Sequence, residues 1–190
     1  MAMSQSLKLT PHESVTVREQ SPDQLVVEAV YTPGGRPPPA HLHPWQDEHF
    51  EIIAGRLRLD VDGEEREFGP GATFEIARGT PHKMWNAGGE PVRAIWATTP
   101  AGRTHEWFIA LDRLQREGRL NRDGMPPLLA FGVYLTAYRD VFRLAGPQWL
   151  LRPVLATVAM IGRLRGYKVP SPDRGVDRPA QAEPSRKTNL

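Results

Sequence analysis

The chain has 190 residues, a formal net charge of +2 and no cysteine, which allows one packed core with an appendage and excludes disulfides, thiolate metal sites and cysteine nucleophiles. Any metal must therefore be held by nitrogen and oxygen. Residues 1–10 lack the apolar core and small-residue cleavage site of a secretory signal, and no run of about 20 apolar residues could span a bilayer, so a soluble cytoplasmic protein is expected.

Residues 1–13 read as an N-terminal arm. From residue 14 to 100 the chain reads as short strands between turn residues, the pattern of a sandwich or barrel. Val15 and Val17, then residues 25–31, supply β-branched and aromatic runs bounded by Ser21-Pro22 and by the proline-rich stretch 33–39. Leu57, Leu59 and Val61 alternate with Arg58, Asp60 and Asp62, which gives one apolar and one charged face. Asp62-Gly63 marks a hairpin turn, and Gly69-Pro70-Gly71 marks a second. Phe74 with Ile76, residues 82–86 and residues 92–98 complete the strand series.

Beyond residue 99 the apolar period lengthens from two to about 3.6. A short helix is expected near 105–118. An amphipathic helix is expected from Leu128 through Phe131, Leu135, Tyr138 and Phe142 to Ala145, ended by Gly146-Pro147, and another over about 152–165. Residues 101–168 thus form a helical extension, and 169–190, proline-rich and polar, a disordered tail. Residues 1–100 carry 9 Lys and Arg against 14 Asp and Glu, whereas 101–168 carry 11 against 5. A basic half can meet nucleic acid or an anionic membrane, but packing on the acidic half of the same or a neighbouring chain is the simpler expectation. The unburied helix faces suggest a homodimer. Contact of these helices with a membrane surface is a secondary alternative. No helix-turn-helix precedes the strands, so no nucleic-acid partner is expected.

Two histidines separated by one residue on a strand project to the same face, so His41 and His43 are natural paired ligands. Glu48 can add a carboxylate oxygen from the start of the next strand, and His82 supplies a third imidazole. The adjacent His49 should face away. Three imidazoles and one carboxylate leave about two open positions on a six-coordinate ion, which suits one divalent transition metal such as Fe, Mn, Ni or Cu, with Zn if the site is four- or five-coordinate. The ordinary alternative is that these histidines are surface or turn residues.

The pattern resembles the cupin superfamily in its single-domain type 2 form. Gly35, His41, His43, Glu48 and Gly55 stand at the spacings of its first motif, and Gly71, Gly79, His82 and Asn86 at those of its second, with Ala77 in place of a proline. This resemblance implies a mainly β fold, a double-stranded β-helix or jelly-roll barrel over residues 14–100 followed by C-terminal α-helices, with His41, His43, Glu48 and His82 as the metal ligands. It is silent on the helices.

By strand parity Phe50 and Ile52 accompany Glu48, and Met84 accompanies His82, so these three should line the barrel near the metal, with Trp45 and Trp85 at its mouth. Ordinary barrel core is the competing reading for each. An apolar, aromatic lining suits a small enolic, aromatic or polyketide-like substrate better than a nucleotide sugar. The leading expectation is a metal-dependent oxygenase, an oxidoreductase of dioxygenase type with Glu48 doubling as a base. A metal-dependent isomerase or cyclase is the nearest rival, and a non-enzymatic small-molecule sensor whose helices report the ligand is the other class.

Overall fold

The computed structural model describes residues 6–169. Its strands are β1 (Ser6–Thr10), β2 (Glu13–Gln20), β3 (Leu25–Tyr31), β4 (His41–Leu42), β5 (Asp47–Ala54), β6 (Leu57–Val61), β7 (Glu64–Phe68), β8 (Thr73–Ile76), β9 (His82–Trp85), β10 (Val92–Thr99) and β11 (Arg143–Leu144). The helices are α1 (Thr104–Arg116), α2 (Leu128–Ala137) and α3 (Gln148–Leu164). The expected tail falls almost wholly on residues outside the described ones, and the stretch read as an N-terminal arm contributes β1.

Two antiparallel sheets make the jelly roll. One runs β1-β2-β3-β10-β5-β8 and the other β11-β4-β9-β6-β7. Their facing sides are built by alternation: Leu25, Val27, Ala29 and Tyr31 of β3, and Val92, Ala94 and Trp96 of β10, are buried while their neighbours are less so. Between β5 and β6 the chain turns at Gly55, with φ of 75°, where a Cβ would lie 2.5 Å from the Pro91 carbonyl oxygen. Only glycine fits there without moving backbone.

The helices follow the barrel in sequence. Helix α1 packs along β1, burying Trp107, Phe108 and Leu114, and Asp112 of α1 accepts the Lys8 backbone N–H at 2.8 Å. Helix α3 packs on α2 through its small residues Ala159 and Gly162. A Cβ at Gly162 would meet the Leu129 carbonyl oxygen at 2.7 Å, so the pair approaches as closely as it does because that position has no side chain.

The helix expected over 128–145 is shorter than its apolar period implies. It ends at Ala137, and the chain then turns at Tyr138 and enters β11, where Arg143 pairs with Leu42 and Leu144 with His41. Backbone pairing to the exposed side of β4 satisfies groups that a longer helix would have satisfied internally, and Ala145 N–H donates to the Ala40 carbonyl at 2.8 Å to extend it. No helix among the described residues is long and apolar enough to cross a membrane.

Candidate metal centre

His41 opens β4 and His82 opens β9, and the two are direct partners across that strand pair. His43 follows β4, and Glu48 stands second in β5 with its side chain turned inward by the same alternation that buries Phe50 and Ile52. The structure brings the three imidazoles together, with one ring nitrogen from each within 4.8 Å of the others. The Glu48 carboxylate adjoins them, Oε1 lying 3.4 Å from His43 Nε2 and Oε2 3.3 Å from His82 Nε2.

The hydrogen bonds of the outer ring nitrogens fix what the inner ones present. His41 Nδ1 faces the Pro39 carbonyl at 3.0 Å, His43 Nδ1 the Val141 carbonyl at 2.6 Å and His82 Nδ1 the Thr80 carbonyl at 3.0 Å. A carbonyl only accepts, so each Nδ1 carries the proton and each neutral ring keeps a lone pair on Nε2. Burial holds all three imidazoles neutral: His43 falls to about 4, His82 is lowered, and His41 is held well below its ordinary range by burial and then by the neighbouring His82 and His43. Burial also pushes the Glu48 carboxyl up to about 7.

Lone pairs therefore meet lone pairs. His82 Nε2 and Glu48 Oε2 are buried without a hydrogen-bond partner among the described residues despite lying 3.3 Å apart, an arrangement that needs a cation or an added proton between them. Three neutral imidazoles and a carboxylate, each imidazole oriented by a backbone acceptor, fit a divalent transition metal in donor type and in outer support.

The site forms one wall of a cavity of about 140 Å³ whose other walls are mostly apolar, including Met84, Trp96, Phe108 and Phe131. The Phe142 ring stacks on His41, centroids 4.4 Å apart, and closes one side. Met84 lies in this cavity, as its parity with His82 suggests. Phe50 and Ile52 do not line it: both are fully buried, and Phe50 is stacked between Phe74 and Trp96 at 5.0 and 5.4 Å. Parity turned them inward, but successive inward residues of a strand descend by about 7 Å, which carries them past the candidate ligands into packed core. Trp85 lines a recess beside Gly35 and Arg36 that adjoins the cavity and shares Glu13, Tyr31 and Met84 with it. Trp45, 59% exposed, faces a groove against α2 and α3. His49 points outward to Glu75, 3.5 Å away.

Two cavity residues escape a reading based on motifs. Glu13 and Tyr31 are direct partners across β2 and β3, and both line the cavity. Burial raises the Glu13 carboxyl to about 7 against the lowering effect of its hydrogen bond with Tyr31, and burial with the charges of Glu13 and Glu48 raises the Tyr31 phenol well above its ordinary range. The available signal was parity, because Glu13 shares the inward face of Val15 and Val17, an unusual place for a carboxylate.

The family model described as a cupin domain matches residues 27–98, a span that includes all four candidate ligands and excludes Glu13 and the helices. The chain is 32% identical over 60 residues to the tetracenomycin polyketide synthase protein TcmJ of Streptomyces glaucescens, covering 32% of this chain and 40% of that protein. It is 32% identical over 57 residues to an oxidoreductase of Arthrobotrys oligospora, covering 30% and 22% respectively. The matches thus span less than half of either relative. Among solved structures, an RmlC-like cupin from Shewanella frigidimarina superposes with a TM-score of 0.48 at 14% identity, over 54% of this chain and 89% of that one.

Proposed function

We propose, from the premise that residues 27–98 form a cupin domain, that this protein is a metal-dependent oxygenase acting on a small enolic, aromatic or polyketide-like substrate. The observation that carries the reading is the convergence of three outward-braced imidazoles and the Glu48 carboxylate on the wall of an apolar, aromatic cavity. Names of relatives agree in kind, one being a polyketide synthase protein and another an oxidoreductase.

The ion would be held by His41, His43, His82 and Glu48, and it would supply electron exchange with O₂ and polarisation of an enol or carbonyl oxygen. The chain's own groups do the rest. Met84, Trp96 and Phe108 line the cavity and offer apolar surface to a ring or conjugated enol. Glu13, with its carboxyl near 7, is suited to take the enol proton at neutral pH, and Tyr31 holds that carboxyl in place. The Pro39, Val141 and Thr80 carbonyls fix the imidazole planes.

The Glu13–Tyr31 pair also favours a second reading, an isomerase or cyclase in which proton transfer at the substrate is the whole reaction. An oxygen-electrode record separates the two. With protein reconstituted separately with iron, manganese, nickel and copper, O₂ uptake matching loss of acetylacetone or catechol supports the oxygenase, whereas conversion of an enolic substrate under argon moves the assignment to proton-transfer chemistry.

A further inference from the structure

Apart from the metal cavity, the molecule has a groove of about 830 Å³ between α2, the segment 138–147 and α3. Its volume lies in the range of small-molecule sites. Its lining combines the apolar Leu144, Leu151 and Leu155 with the basic Arg139, Arg143 and Arg152. Asp140 also lines the groove, but its carboxylate is engaged by Arg103 at 3.2 Å. No carboxylate among the described residues pairs with Arg139, Arg143 or Arg152. Residues 141–169 contain five basic side chains and no acidic one, so the local sequence offers no counter-charge either.

Arg143 is held in place at the centre of the basic lining. Arg143 Nε donates to the Arg139 carbonyl at 2.8 Å, which fixes its guanidinium, and burial together with the charges of Arg152 and Arg139 opposes the protonated form of Arg143 more than the Asp140 charge favours it. Three like charges lie together in this groove, with Asp140, which Arg103 also engages, as the one carboxylate near them among the described residues, so a guest that brings a negative group relieves their repulsion.

We propose that this groove is a binding site for an anionic amphiphile, its carboxylate or phosphate seated on Arg139, Arg143 and Arg152 and its apolar body along Leu144, Leu151 and Leu155. The site is independent of the metal. Phe142, however, lines both the groove and the metal cavity, so the guest's apolar body rests near the ring that stacks on His41.

Isothermal titration calorimetry of the full chain tests this, using dodecanoate and dodecyl phosphate below their micellar concentrations, with dodecyl maltoside and inorganic phosphate as comparisons. Saturable one-to-one binding of at least one anionic amphiphile is expected, weakened roughly tenfold in Arg143→Gln and again in Arg152→Gln, and weakened by added salt. Which of the two binds more tightly distinguishes a carboxylate guest from a phosphate one. Arg152 is exposed, so its substitution leaves the fold intact and keeps the result readable. Equal binding of dodecyl maltoside, or undiminished binding in the double variant, overturns the proposal. Inorganic phosphate binding as tightly as dodecyl phosphate removes the amphiphile from it. Co-sedimentation with phosphatidylglycerol vesicles, without binding of either monomeric amphiphile, would replace it with a membrane surface.

Discussion

Glu48 Oε2 and His82 Nε2 lie 3.3 Å apart, both buried and neither hydrogen-bonded, because His82 has committed its ring proton to the Thr80 carbonyl on the other side. The pair is therefore poorly satisfied alone and well satisfied around a cation. Replacing Glu48 by glutamine supplies an N–H that can donate to His82 Nε2 while removing the charge. In chelator-treated protein near neutral pH, Glu48→Gln is expected to be more stable than the wild type by about 1–3 kcal/mol. With metal present the order reverses. Urea denaturation with and without chelator checks both halves.

Glu13 gives the pH dependence. Its carboxyl is raised from 4.5 to about 7 in the folded chain, so its contribution to stability is fully present below the unfolded value and is lost as pH rises through 7. A Glu13→Gln variant lacks this loss. Relative to wild type it should gain up to about 3 kcal/mol between about pH 4.5 and pH 8, with the change concentrated below pH 7.5. Paired denaturation curves on chelated protein across that range measure the difference; a constant offset would show that Glu13 titrates normally.

Phe142 joins the helical part to the candidate metal site, stacking on His41 at 4.4 Å and lying 5.4 Å from the Trp107 ring. The carbonyl beside it, on Val141, orients His43. Phe142→Ala should cost roughly 1–3 kcal/mol, less than a fully buried phenylalanine because the ring is only half-buried. It should also weaken metal binding, whereas Phe142→Leu should retain most of both. Thermal melts and metal titration of the two variants separate packing from ligation.

The α2–α3 contact predicts a defect confined to the helices. A methyl group at Gly162 meets the Leu129 carbonyl oxygen at 2.7 Å and Val133 Cγ2 at 2.7 Å, and the backbone carbonyl cannot withdraw without shifting α2. Gly162→Ala should destabilise the chain by about 1–3 kcal/mol while leaving metal stoichiometry unchanged. Circular dichroism during thermal unfolding and metal analysis of the same preparation report the two quantities.

The candidate ligands were legible because three of them lie within eight positions of one another at β4 and the start of β5, where alternation suggests which side each faces, and the fourth lies in the strand that pairs with His41. Depth was not legible. Alternation places Phe50 and Ile52 on the inner face but cannot say that they sit below the ligands rather than beside them. The apolar spacing from Leu128 to Ala145 suits a helix, and no local feature announces that β4 has a free side for Arg143 and Leu144 to pair with. That pairing is a long-range event, and it also delivers the Val141 carbonyl to His43 from 98 positions away. Glu13 and Tyr31 are likewise brought to the site by topology.

The most direct test is elemental analysis of the untagged protein by mass spectrometry, comparing wild type with His41→Ala, His82→Ala and His49→Ala. One transition-metal ion per chain in wild type and His49→Ala, with strong loss in His41→Ala and His82→Ala, is the predicted result. Equal loss from all three variants, or full retention in His41→Ala and His82→Ala, would contradict the site described.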